Sequence, residues 1–562
     1  MFVSRVAGGP GRIAGGGMFV FVVKNMYFSY KLIPLNMSNK TDPASGMVNT
    51  AGFRTCCGNH GGAPGDMTRR KFVQVTGTGV IGSVALSGLS WAALASGESG
   101  SENPNKRKPL IVKPILTYEV PQRRDKTSWR AWGGIQTEQD ASAEVERIGK
   151  ELQSIASTAD FPVNFLPVSP VRRNQDLNSI TDLDSADLFL VYAAGGSMNM
   201  FDTLNSKGKN VIFFCRHKSG PVYLWYEIIS PRYLRQHTDK LSVKGIDEND
   251  VVIDNHNELL WRLRSLCGLK NTVGSRILAV GGPGAWAQPQ GVVPALVREK
   301  YRLDIVTISY EELGNLITEA RKDKTLVAAS KSRAEEYLSE TNIKLETERH
   351  FVDNCFVLEE IFTRLMAKYD CRALTINECM GTIMPLAETT ACLTLSLLND
   401  DGYLAFCESD FVVVPAGILM ANISGKPSFL NDPTFPHDNI ITLAHCTAPR
   451  RMDGRNSEPA RIMTHFESDY GAAPKVEMTK GQVVTNIMPD FAFERNVGLL
   501  GKIADNPFLD ICRSQIDVTF ECDSRKVAEQ MPGFHWITVY GDYIKEAEYA
   551  FKKIGIGFGS LT

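Results

Sequence analysis

No CxxC pair occurs in this 562-residue chain, so no single segment carries the spacing of a structural zinc site. There is no basic excess either. The 61 Lys and Arg against 63 Asp and Glu leave a net charge of −2, which argues against nucleic acid as a partner, because a phosphate backbone calls for clustered positive charge. Only one long uncharged apolar run is present, at 75–95, and the chain beyond it reads as soluble. No internal repeat is found. The glycine-rich turn Gly281-Gly282-Pro283-Gly284 lacks GxGxxG spacing, and Pro283 removes a donor. That excludes a standard dinucleotide site and leaves a substrate-facing loop at the carboxyl end of a strand.

What is present starts with Thr68-Arg69-Arg70-Lys71-Phe72-Val73-Gln74, directly ahead of the apolar run. Basic, then apolar, then small is the order of a processing segment. Residues 67–95 read as a twin-arginine export signal, with Ala93-Leu94-Ala95 as the cleavage site. The implied partner is the twin-arginine translocation machinery, and the implied location is the periplasm or another compartment outside the cytoplasm. Residues 1–66 precede Met67, are rich in small residues and show no periodicity, so they read as a non-native or disordered extension. Residues 96–108 are a polar linker. Ten of the twelve cysteines follow the signal, several inside apolar runs such as Val211-Ile-Phe-Phe-Cys215, and are expected to be buried thiols.

Past the linker, short β-branched runs alternate with helical stretches. That pattern implies parallel sheets with crossovers: an α/β domain over 109–272 and a second over 273–400. A single continuous helix is expected over 385–398. From 401 to 562 the runs are short, β-rich and separated by turn residues, reading as an antiparallel sheet or barrel with a C-terminal helix over 543–554. The fold class is therefore α/β: two doubly wound domains followed by a β-rich, barrel-like one.

Four places in the last segment carry chemistry: Cys407-Glu408-Ser409-Asp410, Ser428-Phe-Leu-Asn431-Asp432, His445-Cys446 and Phe534-His535-Trp536. Each has a plain reading, since Glu408 suits a helix start, Asp432 a turn before Pro433, and a histidine on an apolar strand a hydrogen-bonded core. Together they form a carboxylate-rich set that can converge on one Mn²⁺ or Mg²⁺ ion. Their order resembles the L-fucose isomerase and L-arabinose isomerase superfamily. The resemblance implies a divalent metal, Mn²⁺ preferred, held by Glu408, Asp432 and His535, with His445 at the place of a further histidine in the arabinose enzymes. It implies that Glu408 and Asp432 move a proton in an aldose–ketose isomerisation of an open-chain sugar, with His445, Trp286 and Trp536 on the substrate. It also implies a homo-oligomer, in which Trp129 and Trp132 reach a neighbouring subunit's site. Two departures stand: Phe534 occupies the first position of a usual histidine pair, and Asn431 the place of a metal-binding glutamate. A non-catalytic carbohydrate-binding protein on the same scaffold is the competing expectation.

Overall fold

The computed structural model describes residues 90–95, 107–223, 228–286, 288–289 and 291–561. The Arg69-Arg70 motif, the extension 1–66 and most of the linker lie outside the described residues. The end of the apolar run is a short helix, Trp91–Ala95, whose buried Trp91 donates to Asp323 at 3.2 Å and lies under the Arg364 guanidinium.

The first sheet is wholly parallel, built on Leu110–Thr117, Leu188–Ala193 and Asn210–Cys215, with short strands at its edges. Leu188–Ala193 is buried at every position, as a central parallel strand covered on both faces must be. The second sheet runs Leu404–Phe406, Ala373–Ile376, Arg276–Val280, Asp304–Ile308, again all parallel. Leu404–Phe406 thus joins the second sheet although it lies beyond the expected boundary at 400.

The third layer is a closed antiparallel barrel. Its six strands follow the order Val483–Met488, Trp536–Tyr540, Phe429–Pro433, Ile440–His445, Ser514–Thr519, Arg495–Asp505, and the last pairs back onto the first. Closure removes the open edges of a sheet. Gly557–Leu561 adds to it in parallel. The C-terminal helix is Ile544–Lys553.

Two expectations are corrected. Strand Arg495–Asp505 was not expected, because Gly498 and Gly501 read as turn residues. Both are there because side chains from neighbouring segments pass close: a Cβ on Gly498 would stand 2.5 Å from Phe558, and one on Gly501 2.4 Å from Val518. The helix expected over 385–398 is broken into Met384–Ala387 and Cys392–Asp400, with Glu388 between them at φ +50°. A residue in the left-handed region ends a right-handed helix. Among the described residues no single helix is long and apolar enough to cross a membrane. None of the ten described cysteines forms a disulfide, and nine are buried.

Helix Val414–Ser424 is buried at every residue, with its side chains inside the core shared by His256–Thr272 and barrel residues Leu430, Ile537 and Val539. It starts just after the Glu408–Asp410 loop, so the packing that holds this helix also fixes those acids.

Candidate active site

The second sheet presents the acids. Strand Leu404–Phe406 ends, and the chain turns through Glu408 at φ +65° and Ser409 at φ +45°. Two successive non-glycine residues in the left-handed region are costly, and such strain persists where the surroundings fix it. Here the surroundings are the glycine turn. Gly284 forms a parallel bridge with Asp410, its N–H donates to the Ser409 carbonyl at 3.1 Å, and its carbonyl accepts from Phe411 at 3.2 Å. The turn read from the sequence as a substrate-facing loop is thus the clamp on the acid loop.

The barrel supplies the rest. Asp432 is the penultimate residue of one strand, His445 ends its neighbour, and His535 immediately precedes Trp536–Tyr540. His535 Nε2 stands 3.2 Å from Asp432 and 3.3 Å from Glu408, and His445 Nε2 stands 3.6 Å from the other Glu408 oxygen. Donor atoms of Asp432, His445 and His535 lie within 4.8 Å of one another, as do those of Cys407, Glu408 and His445. The structure therefore brings together Glu408, Asp432, His445 and His535. Both histidine side chains are buried, and the Glu408 and Asp432 side chains keep about a tenth of their surface exposed.

Burial alone would raise the Glu408 carboxyl, but His535 and His445 hold it down at about 2. Burial opposes charge on His535, yet Asp432, Glu408 and Asp410 raise it well above the ordinary imidazole range. Both shifts express one fact: clustered carboxylates need a positive charge among them. Nearby His465 goes the other way. Burial, with His445 and Arg513 close by, lowers it to about 4 and leaves it neutral.

One residue was quoted in the sequence motif without a role. Asp410 is 1 % exposed; one oxygen accepts from Val412 N–H at 3.0 Å and faces Trp286 N–H at 3.4 Å, and the other lies 2.7 Å from His535 Nδ1. It holds the ring so that Nε2 faces Glu408 and Asp432. The aromatic residues separate. Trp286 stacks flat on Phe534 with centroids 3.8 Å apart, and Phe534 lies edge-on to His535 at 4.7 Å, so this pair walls the site. Trp536 is fully buried in the barrel core, where it packs instead of facing a ligand; a ring pointing into the barrel cannot line a solvent-facing pocket. Asn431 is likewise occupied inside the barrel, donating to Thr538 at 2.9 Å, so Asp432 is the acid that this strand offers. Trp132 is 76 % exposed.

The donor set, carboxylate oxygens with imidazole nitrogens, suits a hard or borderline divalent cation. A buried carboxylate pair whose charge is met by a histidine that must hold its proton is also the place where a cation can replace that proton.

No protein-family profile matches the chain. A sulfoquinovose isomerase from Clostridium sp. (strain MSTE9) is 26% identical over 202 residues, covering 33% of this chain and 44% of that protein. The match spans less than half of the relative's length. The chain is thus distantly similar to a sugar isomerase.

Proposed function

We propose that the chain is a metal-dependent aldose–ketose isomerase acting on an open-chain sugar through an ene-diol. The observation that carries this reading is the meeting of Glu408, Asp432 and His535 from three separate segments within 3.3 Å contacts. The distant similarity to a sulfoquinovose isomerase supports it. Glu408, Asp432 and His535, with His445 alongside, would hold the cation, Mn²⁺ by preference. When bound, the cation supplies Lewis-acid stabilisation of the negative charge on the sugar oxygens.

The residues of this chain do the rest. Isomerisation removes a proton from one of two adjacent carbons and delivers it to the other, so it needs a base and an acid beside C1 and C2. Glu408, set between His535 and His445, is positioned to accept the proton. Asp432, on the other side of His535, is placed to return it. His445, held through Nδ1 by Thr447 at 3.1 Å, can bind a sugar hydroxyl. Trp286 and Phe534 offer an aromatic face to the sugar's C–H surface and keep water from that side.

The test is proton exchange. Sulfoquinovose, L-fucose, L-arabinose and other aldoses are incubated with the protein and Mn²⁺ in D₂O and followed by NMR. Deuterium at C1 or C2 with ketose formation is expected for one of them. Glu408→Gln keeps the shape but loses the base, and the rate falls by about 10²–10⁴. Sugar binding without exchange across the panel would instead favour the non-catalytic binding protein. Export through the twin-arginine route and assembly into a homo-oligomer belong to the same proposal. Unchanged export after Arg69 and Arg70 are both replaced by Lys would refute the first, and a monomer in sedimentation would refute the second.

A further inference from the structure

A second cluster lies on the far side of His445, made of softer ligands. Cys392, Cys446 and His465 offer two sulfurs and a nitrogen within 4.8 Å of one another, and all three are buried. Cys512 packs into the same apolar cluster with Cys392 and Cys446. These residues come from four segments: the first turn of helix Cys392–Asp400, the end of strand Ile440–His445, the loop after Ala460–Met463, and the loop before Ser514–Thr519.

The segments are fastened to one another. Arg513 donates through Nε to the Thr464 carbonyl at 2.8 Å, tying the Cys512 loop to the His465 loop. Thr390 Oγ1 donates to the Ala472 carbonyl at 2.8 Å and accepts from Ala472 N–H at 3.1 Å, which ties the start of the Cys392 helix to the stretch after His465. The Leu393 N–H donates to the same carbonyl at 3.2 Å. The segments that carry the cluster are therefore tied to one another by hydrogen bonds.

We infer that Cys392, Cys446 and His465 form a structural metal site for a soft divalent ion, Zn²⁺, with Cys512 packed beside it. Thiolate and imidazole donors select zinc, whereas the neighbouring carboxylate site suits a hard cation. Zn–S bonds of about 2.3 Å in a tetrahedron put sulfurs about 3.8 Å apart, so the donors need close in only slightly. Cys392 stands at the N-terminus of its helix, where the backbone dipole favours an anion. Binding exchanges the two thiol protons for the ion, with no oxidant. Because Cys446 follows His445 directly, the ion would also pin the strand end that presents His445.

This inference stands apart from the isomerase reading, and the experiment separates them. Full-length protein, purified without chelator, is assayed for zinc and examined by zinc-edge X-ray absorption. About one chelator-resistant zinc per chain with at least two sulfur ligands is expected, retained in Glu408→Gln and lost in Cys446→Ser. Cobalt substitution of the wild type should give a thiolate-to-cobalt charge-transfer band, a readout that needs no variant to fold. A zinc shell of oxygen and nitrogen alone, zinc lost with Glu408→Gln, a Cys392–Cys446 disulfide in peptide maps, or chains with no zinc and no cobalt–thiolate band would each overturn the assignment.

Discussion

Asp410 and His535, 125 residues apart in sequence, meet at 2.7 Å, one from the second α/β sheet and one from the barrel. The contact fixes which ring nitrogen of His535 faces the carboxylates.

Asp410→Asn tests that control. An amide can still accept from the Val412 N–H, but its NH₂ group then faces Nδ1 and reverses the preferred tautomer. Loss of an orienting carboxylate weakens a metal site by about 10–100-fold. Mn²⁺ titration followed by electron paramagnetic resonance should show that loss with the fold intact. An unchanged affinity would remove Asp410 from the site's working parts.

Trp286 stacks on Phe534 at an interplanar angle of 5°, and Phe534 in turn lies edge-on to His535. Trp286→Ala should raise KM for the sugar, by about 2- to 13-fold if one stacked aromatic face contributes about 0.5–1.5 kcal/mol. A fall in kcat with KM unchanged would place the ring's role elsewhere.

Gly501→Ala should destabilise the barrel. Its Cβ would stand 2.4 Å from Val518 Cγ1 and 2.7 Å from the Thr519 carbonyl, and backbone cannot step aside as a flexible side chain does. Overpacking of this kind costs about 1–3 kcal/mol. Urea unfolding should show the loss, while the folded fraction keeps its metal affinity.

Glu359 carries a pH dependence. Burial raises its carboxyl to about 7 despite Arg333 at 2.7 Å, and its other oxygen is buried without a protein hydrogen-bond partner. A carboxyl raised in the folded state contributes stability that is full below its ordinary unfolded value near 4.5 and is lost as pH rises through about 7. Thermal melts should fall between pH 5 and pH 8, and Glu359→Gln should flatten that part of the fall. An identical slope in the variant would exclude Glu359 as its source.

Much of this was legible in the sequence, for reasons that differ from part to part. Parallel strands such as Leu188–Ala193 announce themselves because burial on both faces demands an unbroken apolar run. Glu408, Asp432, His445 and His535 stood out as polar residues at the ends of apolar runs, and the fold brings them together. Strand Arg495–Asp505 stayed hidden because its glycines answer to neighbours that only the folded barrel supplies. Trp536 was misplaced because a tryptophan beside a site histidine looks the same whether its ring faces the barrel or the pocket. The Cys392, Cys446 and His465 cluster has no local spacing at all, so no motif reveals it.

The Asp410–His535 contact also sets a schedule for synthesis. A ribosome makes the chain from its N-terminus, and both parallel sheets, with their acids, are complete before His535 has been polymerised. Until then Asp410 lacks its histidine partner and Glu408 has only one of its two, His445, and the barrel lacks strand Trp536–Tyr540, which stands between two of its neighbours. Truncated or stalled chains should therefore be unable to trap a cation at this centre, however well their first two sheets fold. The molecule gains its chemistry in one late step, when nearly the whole polypeptide is available.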